Sequence, residues 1–479
     1  MTTMNQRMVR VFTILSVGFM ALIGMLTWWQ IVVAGELKQK DSNQQSAYYE
    51  QRIARGFIST SDGVRLATRR ATAGANGETV YTRAYPQGNL AAHVLGYDTR
   101  GNARAGVEKA LNTELTGSDR NLGAVVGLLD GSDQVVGDNV QLTIDAAAQR
   151  VAQEQLSGLT GAIVALEPAT GRVLVSASSP TFTSQEAITD FAGIQKRDAS
   201  LFNRATQSGY APGSTFKLVT TAAALANGRT PDTKFPRTTE YRNIKNFDRE
   251  VAPAGTLSDA LTNSYNTVFA KLGNDLGAER LRTQMEQFGF FETPPLVGLP
   301  NDELRASGLS DTDGSPLELN DDVDTARVAI GQERLTVTPL QMAMVAAAIG
   351  NDGKLVKPSL VEQVTRANGG QVRGFEVRDW KQSMTPAHAR QLQRMMQNVV
   401  EEGTGSAVRL QGIQIAGKTG TADFGGRNLV WFVAFAPVDN PRVAIAVAIE
   451  NQASGQTGGD VAAPKAREVL RRLLERAPS

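Results

Sequence analysis

Three short strings in this chain combine residue types suited to acyl transfer: Ser214-Thr215-Phe216-Lys217, Ser264-Tyr265-Asn266 and Lys418-Thr419-Gly420. In the first, a serine and a lysine three residues apart on a helix share one face, one turn apart. An amine at that distance can reach the serine hydroxyl and take its proton as the oxygen attacks a carbonyl. Ser214 follows Ala211-Pro212-Gly213 and precedes an apolar, alanine-rich run ending at Asn227-Gly228, which places it at a helix N-terminus. There the free N–H groups and the helix dipole favour developing negative charge. That helix is apolar nearly all round, so it should be buried, and burial lowers a lysine pKa toward the range of a general base.

The second string supplies another hydroxyl, Ser264, to relay a proton to a departing amine, and an amide, Asn266, to anchor substrate and Lys217. The third supplies a cation, Lys418, and hydroxyls, Thr419 and Thr421, that can hold a substrate carboxylate. Gly420 would let a substrate backbone come close. Taken singly, the strings also have plainer readings: an N-cap serine with a snorkelling lysine, and a polar helix–helix junction.

These residues need elements to position them. Asp145 caps a helix from Ala146 to Leu156, Thr338-Pro339 opens one that Gly350 closes, and Thr385-Pro386 opens one ending at Gly403. Segments 161–166 and 172–175 form a hairpin about Pro168-Ala169-Thr170-Gly171. A second hairpin pairs 429–435 with 443–449, and the amphipathic segment 464–476 is the last helix. Hairpins at both ends with helices between them indicate an α+β domain on an antiparallel sheet, with Lys418 on an edge or near-edge strand. An extended peptide could lie antiparallel to that strand. Before this domain, 55–138 is rich in Gly, Arg, Thr and Asn and reads as a small, mostly β pedestal with long loops. Gly131-Ser132-Asp133 and Gly137-Asp138-Asn139 read as turns, and Val140, Leu142 and Ile144 alternate as a half-buried strand.

Composition removes competing chemistries. The 479 residues contain no cysteine, which excludes thiol catalysis, disulfides and cysteine-bound metal. The only histidines, His93 and His388, are not in a His-Glu-x-x-His string, and no Gly-x-Ser-x-Gly elbow occurs. A net charge of +1 gives no reason to expect nucleic acid as a partner. Gly412 to Thr419 fits the Gly-x-x-x-x-Gly-Lys-Thr phosphate-loop pattern in full. Its middle residues have β character, however, and a strand follows where a helix is required, so no nucleotide site is expected.

Residues 11–33 are uncharged, apolar and long enough to cross a bilayer as a helix. The run exceeds a typical signal-peptide core and Val32-Val33-Ala34-Gly35 is a weak cleavage site, so it reads as an uncleaved anchor. Arg7 and Arg10 before it and Lys38 and Lys40 after it do not decide orientation by count. The short leading tail favours a cytoplasmic N-terminus with the bulk of the chain outside. A polar stalk, 36–51, follows.

With its strings placed, the chain resembles the class B penicillin-binding proteins, the monofunctional peptidoglycan transpeptidases. The resemblance runs through Arg55-Gly56-Phe57-Ile58, Asp62-Gly63, Tyr85-Pro86 and Gly106-Val107-Glu108 in the pedestal. It continues through Asn203-Arg204-Ala205-Thr206, Tyr210-Ala211-Pro212-Gly213, Thr338-Pro339-Leu340-Gln341 and Trp431-Phe432. The short pedestal is similar to that of the actinobacterial A-type members. One departure is Gly331-Gln332-Glu333, where the family has Gly-Gln-Gly.

The resemblance implies a penicillin-binding transpeptidase (serine β-lactamase-like) domain at 146–479, a dimerisation-type pedestal at 34–145, an anchor at 11–33 and a cytoplasmic tail at 1–10. Ser214 would attack the penultimate D-alanine carbonyl of a stem pentapeptide and Lys217 would accept its proton. Ser264, supported by Asn266 and Lys418, would pass a proton to the departing D-alanine. Lys418, Thr419 and Thr421 would hold the terminal carboxylate, beside Gly420, and the backbone N–H groups of Ser214 and Thr421 would form the oxyanion hole. It implies no metal or other cofactor, and β-lactams and lipid-linked peptidoglycan polymer as ligands. A membrane glycosyltransferase and division or elongation proteins would be partners. D,D-carboxypeptidases and serine β-lactamases carry the same strings with water as acceptor, but the anchor and pedestal weigh against both. A non-catalytic β-lactam sensor or division scaffold need not retain all five polar groups.

Overall fold

The computed structural model describes residues 2–29, 51–74, 78–99, 103–118, 136–197, 199–247, 250–311, 314–424 and 426–475. The last residues of the expected span (30–33), the stalk up to residue 50 and the Gly131-Ser132-Asp133 turn lie outside them.

The sheet that carries the third string has five strands. In spatial order they are Ala416–Phe424, Arg427–Ala436, Val443–Gln452, Gly161–Leu166 and Val173–Ser179, all antiparallel. The hairpins read at the two ends of the domain therefore meet in the middle, where Val447 pairs with Ile163. Alternation sorts their side chains between two layers. Ile163, Val430, Phe432 and Val447 pack against the helices Ala146–Gln155 and Ala462–Leu474. Trp431, Val433 and Phe435 face the helices Lys217–Ala226 and Pro339–Gly350 in the larger core. The expected caps are present: the side chains of Asp145, Thr338 and Thr385 accept from the N–H groups of Ala148, Gln341 and His388.

A six-stranded sheet joins distant parts of the chain. Asn139–Leu142 pairs in parallel with Ile58–Ser59 and antiparallel with Val361–Thr365, so a strand read as the end of the pedestal is shared with a much later segment. The pedestal region is less purely β than its composition suggests. Among the described residues it holds short helices at Ala92–Leu95, Gly106–Ala110 and Asn112–Thr116. At its centre Glu108 is fully buried and accepts from Arg55 Nε (2.7 Å), Arg83 Nε (2.6 Å) and the Tyr85 hydroxyl (3.1 Å). Burial works against ionisation of Glu108, but the two guanidinium groups outweigh it and hold the carboxyl below its ordinary value.

The N-terminal helix Thr2–Trp28 contains Met8–Trp28, 21 residues of mean hydropathy 2.1, long and apolar enough to cross a membrane.

Candidate active site

The first string does not begin a regular α-helix. Gly213–Phe216 is one turn of 3₁₀-helix, and the α-helix starts at Lys217. The cause is tertiary. Gly213 adopts φ +52° and donates its N–H to Gly331 O at 3.0 Å, and Gly331 is itself at φ +76°. A Cβ on Gly331 would lie 1.9 Å from Gly213 O, so this close approach requires glycine at 331, while a Cβ on Gly213 would meet Thr421 O at 2.6 Å. Trp431 Nε1 donates to Ala211 O at 3.0 Å, and Tyr210 and Val337 exchange backbone hydrogen bonds of 2.9 and 2.8 Å. The Ser214 turn is thereby tied to the sheet and to the Gly331 loop at separate points.

On this turn Ser214 is half-buried, and neither its hydroxyl nor its N–H has a hydrogen-bond partner among the described residues. Lys217 is fully buried, as the apolar helix requires. Its Nζ is bonded not to Ser214 but to the second string: Ser264 O at 2.7 Å, Asn266 Oδ1 at 2.7 Å and Ser264 Oγ at 3.2 Å. Burial, and next the nearby charge of Lys418, hold the Lys217 pKa well below its ordinary value. A neutral amine has two N–H groups for the two carbonyl oxygens, and its lone pair is then left for a hydroxyl. A general base needs such a lone pair.

Ser264 links the helices Leu257–Thr262 and Asn266–Gln287. It sits at φ +60°, a left-handed conformation that costs a non-glycine residue about 1–2 kcal/mol. The first of these helices carries the expected capping box between Thr256 and Asp259. Asn266 uses its other end as well, since Nδ2 donates to Lys245 O at 3.1 Å.

The third string occupies Ala416–Phe424, an edge strand of the five-stranded sheet. The phosphate-loop pattern overlapping it is therefore strand at Gly417, Lys418 and Thr419, and another strand follows. Lys418 is fully buried, and burial pushes its pKa down to about 7. Its Nζ donates to Thr419 O at 3.2 Å. The Thr419 hydroxyl shares a 2.6 Å hydrogen bond with Thr404, and Gly458 N–H donates to Thr421 Oγ1 at 3.4 Å. A Cβ on Gly420 would lie 2.9 Å from Pro212 O and 2.9 Å from Thr215 Cγ2, so the glycine admits the Ser214 turn.

Sequence reading missed Thr404, on a loop with no motif, and the Lys245 carbonyl, which no side-chain pattern can mark. It also flagged Glu333 only as a departure. Glu333 holds φ +63° on the exposed surface and keeps the left-handed backbone its glycine counterpart would adopt freely.

A buried lysine bonded to a second serine and an asparagine, one turn after a serine whose hydroxyl has no partner among the described residues, and an edge strand carrying another buried lysine together suit a serine acyltransferase. The family model of the penicillin binding protein transpeptidase domain matches residues 161–471, and that of the penicillin binding protein A dimerisation domain matches 55–140. The chain belongs to the penicillin-binding protein transpeptidase family. A Mycolicibacterium smegmatis relative named peptidoglycan D,D-transpeptidase PbpA is 32% identical over 505 residues, covering 98% of this chain and 99% of the relative. Its Mycobacterium tuberculosis namesake is 32% identical over 503 residues, covering 97% and 99%. The structure of M. tuberculosis penicillin-binding protein A as a ceftriaxone acyl-enzyme complex has a TM-score of 0.77 at 30% identity. That alignment covers 89% of this chain and 100% of the other. The fold and the serine-type transpeptidase activity read from the sequence both stand.

Proposed function

We propose that Ser214 is the nucleophile of this peptidoglycan D,D-transpeptidase and that the remaining site residues act as follows. The carrying observation is the buried Lys217 amine, bonded to Ser264 and Asn266 one turn from a Ser214 hydroxyl with no partner among the described residues. Ser214 Oγ attacks the penultimate D-alanine carbonyl of a stem peptide while Lys217 takes its proton. The oxyanion is met by the N–H groups of Ser214 and Thr421. As the C–N bond breaks, Lys217 returns the proton through Ser264 Oγ to the departing D-alanine. Lys418, Thr419 and Thr421 hold that residue's carboxylate, and Asn266 Nδ2 offers its second N–H to a carbonyl of the donor strand. An amine of a neighbouring stem peptide then attacks the ester and frees Ser214 as the crosslink forms.

β-Lactams acylate Ser214 by the same route. None of these steps calls on a metal or organic cofactor. The N-terminal helix anchors the chain, and we place the N-terminus in the cytoplasm with the catalytic residues outside it. We divide the remainder into a pedestal at 34–145 and a catalytic domain at 146–479, with the strand Val361–Thr365 extending the pedestal sheet. A membrane glycosyltransferase of the division or elongation machinery is the partner this arrangement suits.

The test is acyl transfer to an added amine. With lipid-linked polymer and a labelled D-amino acid, the full chain should exchange terminal D-alanine for label, and Ser214→Ala should not. Release of shortened peptide with no exchange would mean that water is the acceptor and the enzyme a carboxypeptidase.

A further inference from the structure

Asn266 stands at the start of its helix without a side-chain cap from the preceding residue, Tyr265. The cap comes from elsewhere in the chain. Asn246, itself buried, accepts at Oδ1 from the Thr267 N–H (3.0 Å) and the Thr267 hydroxyl (3.2 Å). Its own amide is fixed in turn, because Nδ2 donates to Glu250 O at 2.9 Å. The neighbouring carbonyl, Lys245 O, accepts from Asn266 Nδ2 at 3.1 Å. Residues 245 and 246 are thus laid against residues 266 and 267 by two adjacent sets of contacts.

The element behind them is a short hairpin. Glu240–Tyr241 pairs with Ile244–Lys245, and the two turn residues Arg242 and Asn243 both lie at positive φ, +48° and +62°, as a tight type I′ hairpin requires. Thr238 and Ala252 exchange backbone hydrogen bonds of 2.9 and 3.0 Å and close the base of the loop.

An asparagine amide has two flips of nearly equal shape, and only one suits this site. With Oδ1 toward Lys217 the amide accepts from the base, and one N–H remains for substrate. The reverse flip would set N–H against Nζ and turn an acceptor toward the substrate carbonyl. We propose that this hairpin selects the productive flip of Asn266, and that Asn246 is the positioning residue through which it does so. Asn246 touches no reacting atom. It fixes where the Lys245 carbonyl stands, and that carbonyl accepts only from the Nδ2 side of Asn266.

This inference rests on the assignment of Asn266 as a substrate-binding amide, and the test separates the two. Benzylpenicillin carries an acylamino carbonyl for the free N–H, whereas 6-aminopenicillanic acid carries none. Acylation of the full chain in detergent is measured with both, and the ratio of their second-order rate constants is independent of the folded fraction. Asn246→Ala is expected to lower the benzylpenicillin to 6-aminopenicillanic acid ratio about tenfold, the loss of one substrate hydrogen bond. Asn246→Asp keeps the acceptor for Thr267 but loses the Nδ2 bond to Glu250 O, so the ratio should fall less than in Asn246→Ala.

An unchanged ratio in Asn246→Ala, with a lowered one in Asn266→Ala, would overturn the inference and leave the role of Asn266 standing. An unchanged ratio in Asn266→Ala would overturn both. If Asn246→Ala does not fold, Thr267→Val removes the hydroxyl half of the anchor. The ratio should then fall about threefold, a fraction of one hydrogen bond, and an unchanged ratio there is equally fatal.

Discussion

Replacing Asn266 by aspartate puts a carboxylate where an amide oxygen now lies 2.7 Å from Lys217 Nζ. At an effective dielectric of about 20, unit charges that close attract by about 6 kcal/mol. Desolvation of the new carboxylate offsets part of this. So does the loss of the bond to Lys245 O, which would face an acceptor at 3.1 Å. What remains should raise the Lys217 pKa by about 1–3 units. The direction follows from the present balance, in which burial and then Lys418 hold the amine low. In its proposed role Lys217 must be neutral to act, so raising its pKa moves the acidic limb of acylation toward alkaline pH. Once the new pKa exceeds the working pH, each unit costs about a factor of ten in neutral base. The assay is the acylation rate of full-length Asn266→Asp by a fluorescent penicillin from acid to alkaline pH. The plateau should fall as well, since the substrate-facing N–H is lost, so the limb and not the plateau is diagnostic. A uniform loss with an unmoved limb, or a limb moved to lower pH, would refute Lys217 as the base held by Asn266.

Other substitutions read other parts of the structure. Gly420→Ala places a methyl group 2.9 Å from both Pro212 O and Thr215 Cγ2; it should cost about 1–3 kcal/mol in urea unfolding and slow acylation by lifting the Ser214 turn from the strand. Glu333→Gly relieves a left-handed glutamate but frees the unfolded chain, for a net gain of about 0.5 kcal/mol with unchanged acylation. Glu108→Ala strands the buried Arg55 and Arg83 guanidinium groups and should cost about 3–5 kcal/mol. Because the folded-state pKa of Glu108 is depressed, its ion pairs contribute at neutral pH. Their contribution should be lost as pH falls through that value, so the unmodified chain and Glu108→Ala should converge in stability at low pH.

Local chemistry was the legible part of this fold. Asp145, Thr338 and Thr385 announce their helices because an N-cap is decided within four residues. The edge position of Lys418 followed from the strands on either side of it. What escaped reading is set by contacts distant in sequence. The 3₁₀ turn at Ser214 exists because Gly213 is wedged against Gly331, and Lys217 turns to Ser264 and Asn266 because a separate helix pair brings them there. The close neighbour of Gly420 is the Ser214 turn, about two hundred residues earlier. The strand Asn139–Leu142 was read correctly, yet its partner Val361–Thr365 carries no signal linking the two.

The claim that Ser214 forms the acyl-enzyme is tested most directly by intact-mass measurement of the full chain after exposure to benzylpenicillin, followed by peptide mapping. The expected result is one stable adduct of the whole drug on the peptide containing Ser214, absent from Ser214→Ala. An adduct that maps elsewhere, or that persists in Ser214→Ala, would contradict the account.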